Sequence, residues 1–237
     1  MNLLLIEQQD LCAPNRAIIS GRRLDHMQQV HRVNIGDTLK AGMIDGDMGS
    51  AVVDSLSGQQ AELTLQFDQP PPAPLPITLL LALPRPKMLR RIFQTIATMG
   101  VKHVFLINSY RVEKSFWQSP FLQLQAIREQ LILGLEQGCD TVLPQVHLRQ
   151  RFKPFVEDEL PGICADSQCL VAHPKNSTSC PINIRETSTL AIGPEGGFID
   201  YEIAKLVECG FAPVSLGQRI LRVETAIPTL LSRLYPG

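Results

Sequence analysis

The sequence predicts a small all-β domain followed by a larger α/β domain with a mostly parallel sheet. Residues 68–76, DQPPPAPLP, contain five prolines, which can neither donate to a sheet ladder nor continue a helix, so we expect an extended linker there. Short apolar runs punctuated by glycine precede the linker, and strand-like and helix-like runs alternate after it. These three observations predict domains over residues 1–70 and 77–237.

The first domain is expected to be a compact β-barrel. Its apolar or alternating runs are NLLLI, RAII, DTLKAGMI, GSAVVDSL and AELTLQF, each of strand length. One short helix is predicted over residues 23–33, RLDHMQQVHRV. A domain of about 70 residues lies near the lower size limit for independent stability.

The second domain shows the alternation of buried strands and helices that is typical of parallel sheets. The strand-like runs ITLLLAL and VKHVFLI flank a helix predicted from Lys87 to Met99. Two further helix starts are predicted from their capping residues, Asp200 and Thr225. With Thr225 as N-cap, Pro228 would fall in the first turn, where its missing N–H costs little.

Composition narrows the classes of function. The chain has 237 residues, 44% of them hydrophobic, and a formal net charge of −1, so any nucleic-acid surface must be a local basic patch. The N-terminal apolar run ends at Glu7 and is too short for the apolar core of a signal peptide. We therefore expect a cytoplasmic protein that does not bind to membranes. Six cysteines without a C-x-x-C pair indicate reduced thiols and no metal site.

A glycine-rich loop follows a strand-like run in Leu190–Asp200, LAIGPEGGFID. Its three glycines permit a tight bend and close approach of a ligand to the backbone. Because the loop carries Glu195 and no lysine, an anionic ligand is disfavoured and a neutral or cationic one is tolerated. S-adenosylmethionine (SAM), which contains adenosine and a sulfonium, meets that condition; a tight turn without a ligand is the alternative.

A second loop of interest is Leu216–Ala226, LGQRILRVETA. Ile220 and Leu221 are suited to bracket an adenine ring, and Arg222 to hold a phosphate or a base carbonyl. An equally weighted alternative is a buried ion pair between Arg222 and Glu224 that holds the turn in place.

These two segments together, GPEGGF followed by LG-x-RILR-x-ETA, resemble the C-terminal signature of the RsmE family of SPOUT methyltransferases. That family methylates N(3) of a uridine in small-subunit ribosomal RNA. His173-Pro174, after the strand CLVA, resembles the family's third cofactor loop. In the first domain, His26, Arg32 and Gly36-Asp37 match the H…R…GD pattern of the family's PUA-like barrel.

The resemblance implies a SAM-dependent 16S ribosomal RNA methyltransferase with a C-terminal trefoil knot. It also implies a homodimer with active sites at the subunit interface. The cofactor would be bound by His173, Pro174, Gly193, Pro194, Glu195, Gly196, Gly197, Leu216, Gly217, Ile220, Leu221 and Thr225. Arg222, Glu224 and Glu195 are the candidate catalytic residues, and either glutamate is suited to accept the N(3) proton.

Two basic clusters are candidate contacts to ribosomal RNA or the small ribosomal subunit. In the helix that follows Arg85, positive charge near the start opposes the helix dipole. Two interpretations of this charge are equally weighted: contacts to RNA phosphates, and a helix face that is merely solvated. The predicted RNA-binding residues are Lys87, Arg90 and Arg91 in this helix, and Arg16, Arg22, Arg23, His26 and Arg32 in the first domain.

The middle of the chain departs from the family pattern. Pro84–Lys87, PRPK, stands where the family has KG-x-K, and 108–115, NSYRVEKS, stands in place of an S-E-R-S loop. Two alternatives therefore stay open. One is a SPOUT methyltransferase acting on a ribose 2′-hydroxyl or on transfer RNA, and the other is a non-catalytic RNA- or ribosome-binding homologue.

Overall fold

The computed structural model describes residues 2–236, which form two compact units. The first unit contains the described residues up to Ala73 together with Ile132–Leu143. The second contains Pro74–Leu131 and the described residues from Pro144 onward. The return of Ile132–Leu143 to the first unit is not foreseen by the predicted boundaries at 70 and 77.

The first unit is built on a mixed six-stranded sheet, a half-barrel with strand order β1-β4-β5-β6-β3-β2. Its strands are β1 (Leu4–Ile6), β2 (Leu11–Ala13), β3 (Arg16–Ile19), β4 (Thr38–Met43), β5 (Met48–Leu56) and β6 (Ala61–Gln69). Strand β1 pairs with β4 in parallel, and the other neighbours are antiparallel. Ala61, Leu63 and Leu65 alternate along one face of β6 and join the hydrophobic core.

The helix predicted over residues 23–33 is confirmed. Helix α1 (Gly21–His26) continues as a π-helical turn over Met27–His31. Leu24 and Met27 pack into the core of the half-barrel. The helix ends at Arg32, whose φ of 52° lies in the left-handed region.

The second unit is an α/β structure around an all-parallel seven-stranded sheet with the order β11-β13-β10-β12-β7-β8-β9. Its strands are β7 (Ile77–Ala82), β8 (His103–Ile107), β9 (Gln145–Arg149), β10 (Gln168–Ala172), β11 (Thr178–Ser179), β12 (Ser188–Ile192) and β13 (Ala212–Ser215). The α-helices that follow α1 are α2 (Pro86–Thr98), α3 (Leu124–Gly138), α4 (Phe152–Pro154), α5 (Leu160–Cys164), α6 (Asp200–Glu208) and α7 (Val223–Leu234). The tail of α3 belongs to the first unit. Among residues 2–236, no helix is long and apolar enough to cross a membrane.

Two predicted helix starts are wrong. Helix α7 begins at Val223 with Arg222 as its N-cap, one turn before Thr225, so Pro228 lies inside the helix. There the carbonyl of Glu224 loses the N–H it would accept in a regular helix. Helix α6 begins at Asp200 itself, and Ile199 is the N-cap.

Candidate functional site: a pocket at the carboxyl ends of three parallel strands

The main candidate site is a cavity of about 380 Å³ in the second unit. It lies beyond the carboxyl ends of β10, β12 and β13, which are neighbours in the sheet. Carboxyl ends of parallel strands converge on one edge, where α/β proteins bind ligands. The cavity volume lies within the range of small-molecule sites. The predicted residues that line it are His173, Pro174, Gly193, Pro194, Glu195, Gly196, Gly197, Leu216, Gly217, Ile220, Leu221 and Arg222.

Glycine is required at several points of the loops that form the pocket. A Cβ at Gly193 would come within 2.9 Å of the Phe198 amide nitrogen, closer than Cβ atoms occur. Gly197 and Gly217 have φ values of 72° and 115°, which disfavour any side chain. A Cβ at either of these two positions would meet no protein atom within 4 Å. The backbone therefore bends tightly and leaves space for a ligand beside it.

The pocket wall is apolar on several sides. Ala172, Ile192, Val214 and Leu230 contribute to it from the strands and from α7. Ile220 is 83% exposed, which is unusual for a large apolar side chain, and it also lines the cavity. A flat apolar group in the cavity would cover part of this surface.

His173 adds a polar group that is neutral at pH 7. Its backbone N–H donates to the Val214 carbonyl at 2.9 Å, which ties the end of β10 to β13. Partial burial lowers the pKa of the imidazole below its usual 6.5, against the opposing effect of Asp200. The uncharged form therefore predominates at neutral pH, and it does not repel a cationic ligand.

Glu195 and Glu224 differ in their relation to the pocket. Glu195 lines the cavity, and its Oε1 accepts a hydrogen bond from the Arg85 backbone N–H at 3.1 Å. Glu224 lies in the first turn of α7 and, with Thr225, is outside the cavity lining. Only one of the two candidate proton acceptors is therefore placed at the cavity in this structure.

Arg222 is free of the ion pair considered from the sequence. Its carbonyl accepts hydrogen bonds from the backbone N–H groups of Thr225 and Ala226, at 3.0 and 2.8 Å. The side chain is exposed, and within residues 2–236 it forms no salt bridge with Glu224. The alternative of a buried Arg222–Glu224 pair is wrong, and the guanidinium is available to a ligand.

Sequence reasoning missed a buried carboxylate beside the pocket. Glu202 is 2% exposed and accepts hydrogen bonds from Ser109 Oγ (3.1 Å), the Tyr110 N–H (2.7 Å) and the Ile199 N–H (3.0 Å). It therefore joins the start of α6 to the loop that follows β8. A glutamate three residues after an N-cap is a known capping signal. Glu202 has that spacing only from Ile199, whereas the sequence favours Asp200 as the N-cap.

The loop after β8 also reaches the glycine-rich loop. Arg111 Nη1 donates a hydrogen bond to the Gly196 carbonyl. A Cβ at Gly196 would lie 2.9 Å from Arg111 Cδ, so the arginine covers this glycine directly. The sequence marked residues 108–115 only as a departure from the family pattern.

Comparisons with known proteins show which family the chain belongs to. Residues 71–235 match the model of the RNA methyltransferase domain family. Ribosomal RNA small subunit methyltransferase E of Treponema pallidum is 30% identical over 235 residues, covering 95% of this chain and 87% of that protein. The Synechocystis protein of the same name is 29% identical, over 90% of this chain and 70% of its own length. The chain belongs to the RsmE family of RNA methyltransferases.

Solved structures share the fold of this RsmE-family chain over nearly its full length. Ribosomal RNA small subunit methyltransferase E from Neisseria gonorrhoeae, bound to SAM, has a TM-score of 0.75 at 20% identity and covers 97% of this chain and 96% of its own. A Legionella pneumophila protein in complex with SAM has a TM-score of 0.73 at 24% identity, covering 98% and 96%. The likeness therefore extends over the chain segments of both units.

Three of the four predicted RNA-binding arginines of the first unit lie beside carboxylates. Arg23 donates to both oxygens of Asp10, at 2.6 and 2.7 Å, and to the Leu5 carbonyl. Arg22 forms a two-bond pair with the buried Glu136. Arg16 lies near Asp54 and Glu62, at 3.4 and 3.5 Å.

Two more candidates in that unit lie at the end of α1. The rings of His26 and His31 are 5.0 Å apart, edge to face. Burial lowers the pKa of His26, which favours its neutral form. The Arg32 side chain is exposed just beyond the helix.

The basic cluster of α2 is exposed. Lys87, Arg90 and Arg91 are all solvent-facing, and the first turn of the helix has no acidic residue. The Arg90 guanidinium lies over the Phe121 ring at 5.6 Å from its centroid. This cation–π contact fixes the direction of one guanidinium without neutralising its charge.

Proposed function

We propose that this chain transfers the methyl group of SAM to N(3) of a uridine in 16S ribosomal RNA. Membership of the RsmE family supports SAM-dependent methylation of ribosomal RNA, and the match of the loop signature supports the N(3) position. The observation that carries the proposal is the convergence of three loops, after β10, β12 and β13, on one cavity. These are the loops that the resemblance assigns to the cofactor.

The chemistry of the pocket fits SAM. Ile220 and Leu221 provide apolar surface for the adenine ring. Gly197 and Gly217 leave open space beside the backbone. Neutral His173 and the carboxylate of Glu195 tolerate the sulfonium. When bound, SAM supplies a methyl group made electrophilic by the positive sulfur.

The residues around the cavity prepare the uracil to attack. The imide N(3)–H must lose its proton, and we assign the role of proton acceptor to Glu195. Its Oε1 accepts the hydrogen bond from the Arg85 N–H, which leaves Oε2 for the proton of the uracil. Arg222 would stabilise the negative charge that spreads onto the uracil carbonyls. The N(3) lone pair then forms the new bond to the methyl carbon, and the carbon–sulfur bond breaks to leave a neutral thioether. Holding the two reactants in line supplies most of the rate.

The remaining family properties are proposed for this chain as well: a cytoplasmic homodimer, an RNA-binding PUA-like first unit and a C-terminal trefoil knot. Contacts of α7 support the knot. Arg233 Nε donates to the Cys180 carbonyl at 2.8 Å, and the backbone N–H groups of Asn183 and Ile184 donate to Arg233 and Leu234. The end of α7 is thus hydrogen-bonded to the connection between β10 and β12, a contact that threading of the chain would also produce.

Calorimetric titration with SAM and mass mapping of ribosomal RNA test the proposed function. The full chain should bind SAM, and a strain that lacks the gene should lose one N(3)-methyluridine from 16S ribosomal RNA. Absence of SAM binding would favour the non-catalytic homologue. A methyl group missing instead from a ribose or from transfer RNA would favour the other SPOUT activity.

Arg222→Ala should lower kcat by about 10²–10³-fold, as loss of one oxyanion-stabilising group does. SAM affinity should stay unchanged, because the proposed cofactor loops would bind SAM largely through their backbone groups. Arg185→Ala, an exposed arginine outside the cavity lining, is the matched control and should keep full activity. Weaker SAM binding with an intact kcat would instead assign Arg222 to the cofactor.

A further inference from the structure

A rigid turn brings one positive charge to the cofactor loop. The turn spans Ser109 to Val112, closed by a hydrogen bond from the Val112 N–H to the Ser109 carbonyl at 3.0 Å. Its two ends are buried, at 2% and 7% exposure, whereas Tyr110 and Arg111 at its corner are exposed. The turn therefore presents only these two side chains to solvent.

Buried polar contacts fix the position of this turn. The Glu202 carboxylate accepts from Ser109 Oγ and from the Tyr110 N–H. Just before the turn, Asn108 Oδ1 accepts from Trp117 Nε1 at 2.9 Å. Side chains on backbone held in this way lose little further entropy on binding a ligand, so the corner is preorganised.

The Arg111 side chain contacts the protein at one point and is otherwise exposed to solvent. One N–H of its guanidinium donates to the Gly196 carbonyl in the proposed cofactor loop. A guanidinium has five N–H donors. Within residues 2–236 no carboxylate pairs with Arg111, and its side chain is exposed. Most of its donors and all of its charge are available to an anionic partner at the rim of the pocket.

We infer that Arg111 couples RNA binding to cofactor binding, by holding an RNA phosphate while it remains hydrogen-bonded to Gly196. This inference rests on the proposed function. A phosphate on Arg111 fixes the guanidinium over the glycine-rich loop, which lowers the cost of ordering that loop around the cofactor. Because linkage is reciprocal, a bound cofactor then strengthens RNA binding by the same factor. Lysine would supply the charge but not the fork of donors that serves both partners.

The test measures the affinity of the full chain for an unmethylated 16S ribosomal RNA transcript, with and without saturating S-adenosylhomocysteine as an unreactive probe. In the wild type we expect the probe to tighten RNA binding by about 5-fold or more, the lower end of usual couplings. In Arg111→Ala the ratio should fall close to one. The salt slope of log K should drop by about 0.7–0.9, as expected when one phosphate is no longer neutralised by the protein.

Two further variants separate coupling from charge. Arg111→Lys should keep the salt slope of the wild type but lose most of the coupling. Lys114→Ala removes an exposed positive charge from the same loop and should keep the full coupling ratio. Neither variant removes a buried group, so both should keep the wild-type melting temperature.

The inference is overturned if the probe does not tighten RNA binding in the wild type, or if Arg111→Ala keeps the coupling ratio. It is also overturned if Arg111→Ala loses probe binding in the absence of RNA, since Arg111 would then be a structural support of the loop. Titration of the wild type with the probe alone tests the proposed function separately. No binding there would contradict the SAM site itself, whatever the coupling.

Discussion

At the scale of the residue, partners distinguish arginines that look alike in the sequence. Arg23 and Asp10 form a two-bond ion pair with side-chain exposures of only 15% and 8%. Arg16 is 51% exposed, and its nearest carboxylate oxygen lies at 3.4 Å. The first pair is part of the structure of the unit, whereas the second is a solvated contact that an RNA phosphate can replace at little cost.

Arg23→Ala should therefore destabilise the protein far more than Arg16→Ala. Removing Arg23 leaves Asp10 buried without its cation, and we expect a loss of about 3 kcal/mol, the lower end for buried pairs. For Arg16 the loss should be below about 1 kcal/mol. Chemical denaturation of both variants measures the difference. Equal and small losses would show that the Arg23 pair is no more important than a surface contact.

The same distinction explains how much of the site could be predicted. The loops at 193–197 and 216–222 contain the glycines, and in the first loop the proline, that make each one recognisable from its own sequence. Each loop also follows a strand of a parallel sheet, so the sequence indicates that the two loops converge. Glu202 and Arg111 depend on partners about 90 residues distant in sequence, Tyr110 and Gly196. Nothing local marks these pairs, and only the packing of α6 against the β8 loop creates them.

At the scale of the element, strands were predicted well and helix ends less well. The run QCLVA is strand β10 itself, because a continuous apolar run is typical of a strand buried on both faces. Helix α7 starts one turn earlier than Thr225 predicts, since Val223 is buried and Arg222 supplies the capping carbonyl. Burial of an apolar residue outweighed the preference of threonine for the cap.

Strand pairing also fixes the identity of one glycine. Gly49 lies in β5 at a register shift against β6, and a Cβ there would overlap the Gln66 carbonyl oxygen. Gly49→Ala should cost about 1–3 kcal/mol of unfolding free energy, as overpacking does. Gly58→Ala is a matched control in the same unit, because its Cβ would meet no atom within 4 Å and its φ is not positive.

Thermal and urea denaturation should place the Gly58→Ala variant within about 0.5 kcal/mol of the wild type. An equally stable Gly49→Ala variant would mean that β5 and β6 separate without cost. The close approach of the two strands would then not be a stabilising feature of the half-barrel.

At the scale of the whole molecule, charge gives no general attraction to RNA. The formal net charge is −1, and the first unit's Arg16, Arg22 and Arg23 are already beside carboxylates. Affinity must therefore come from exposed cations without acidic neighbours, of which Arg90 and Arg91 on α2 are the clearest pair. Lys87 lies in the first turn of the same helix, where a positive charge opposes the dipole, so a phosphate contact there would relieve an existing cost.

Replacing Arg90 and Arg91 by alanine should weaken binding of 16S ribosomal RNA and flatten its salt dependence. Counterion release predicts that the slope of log K falls by about 0.7–0.9 for each phosphate that the variant no longer neutralises. SAM affinity should not change, because neither residue lines the cavity. The double variant of Lys153 and Lys205 is a suitable control: it removes the same charge from residues that already pair with Glu157. If the two double variants shift the slope equally, the effect is one of total charge, and the RNA surface must be sought around Arg32 instead.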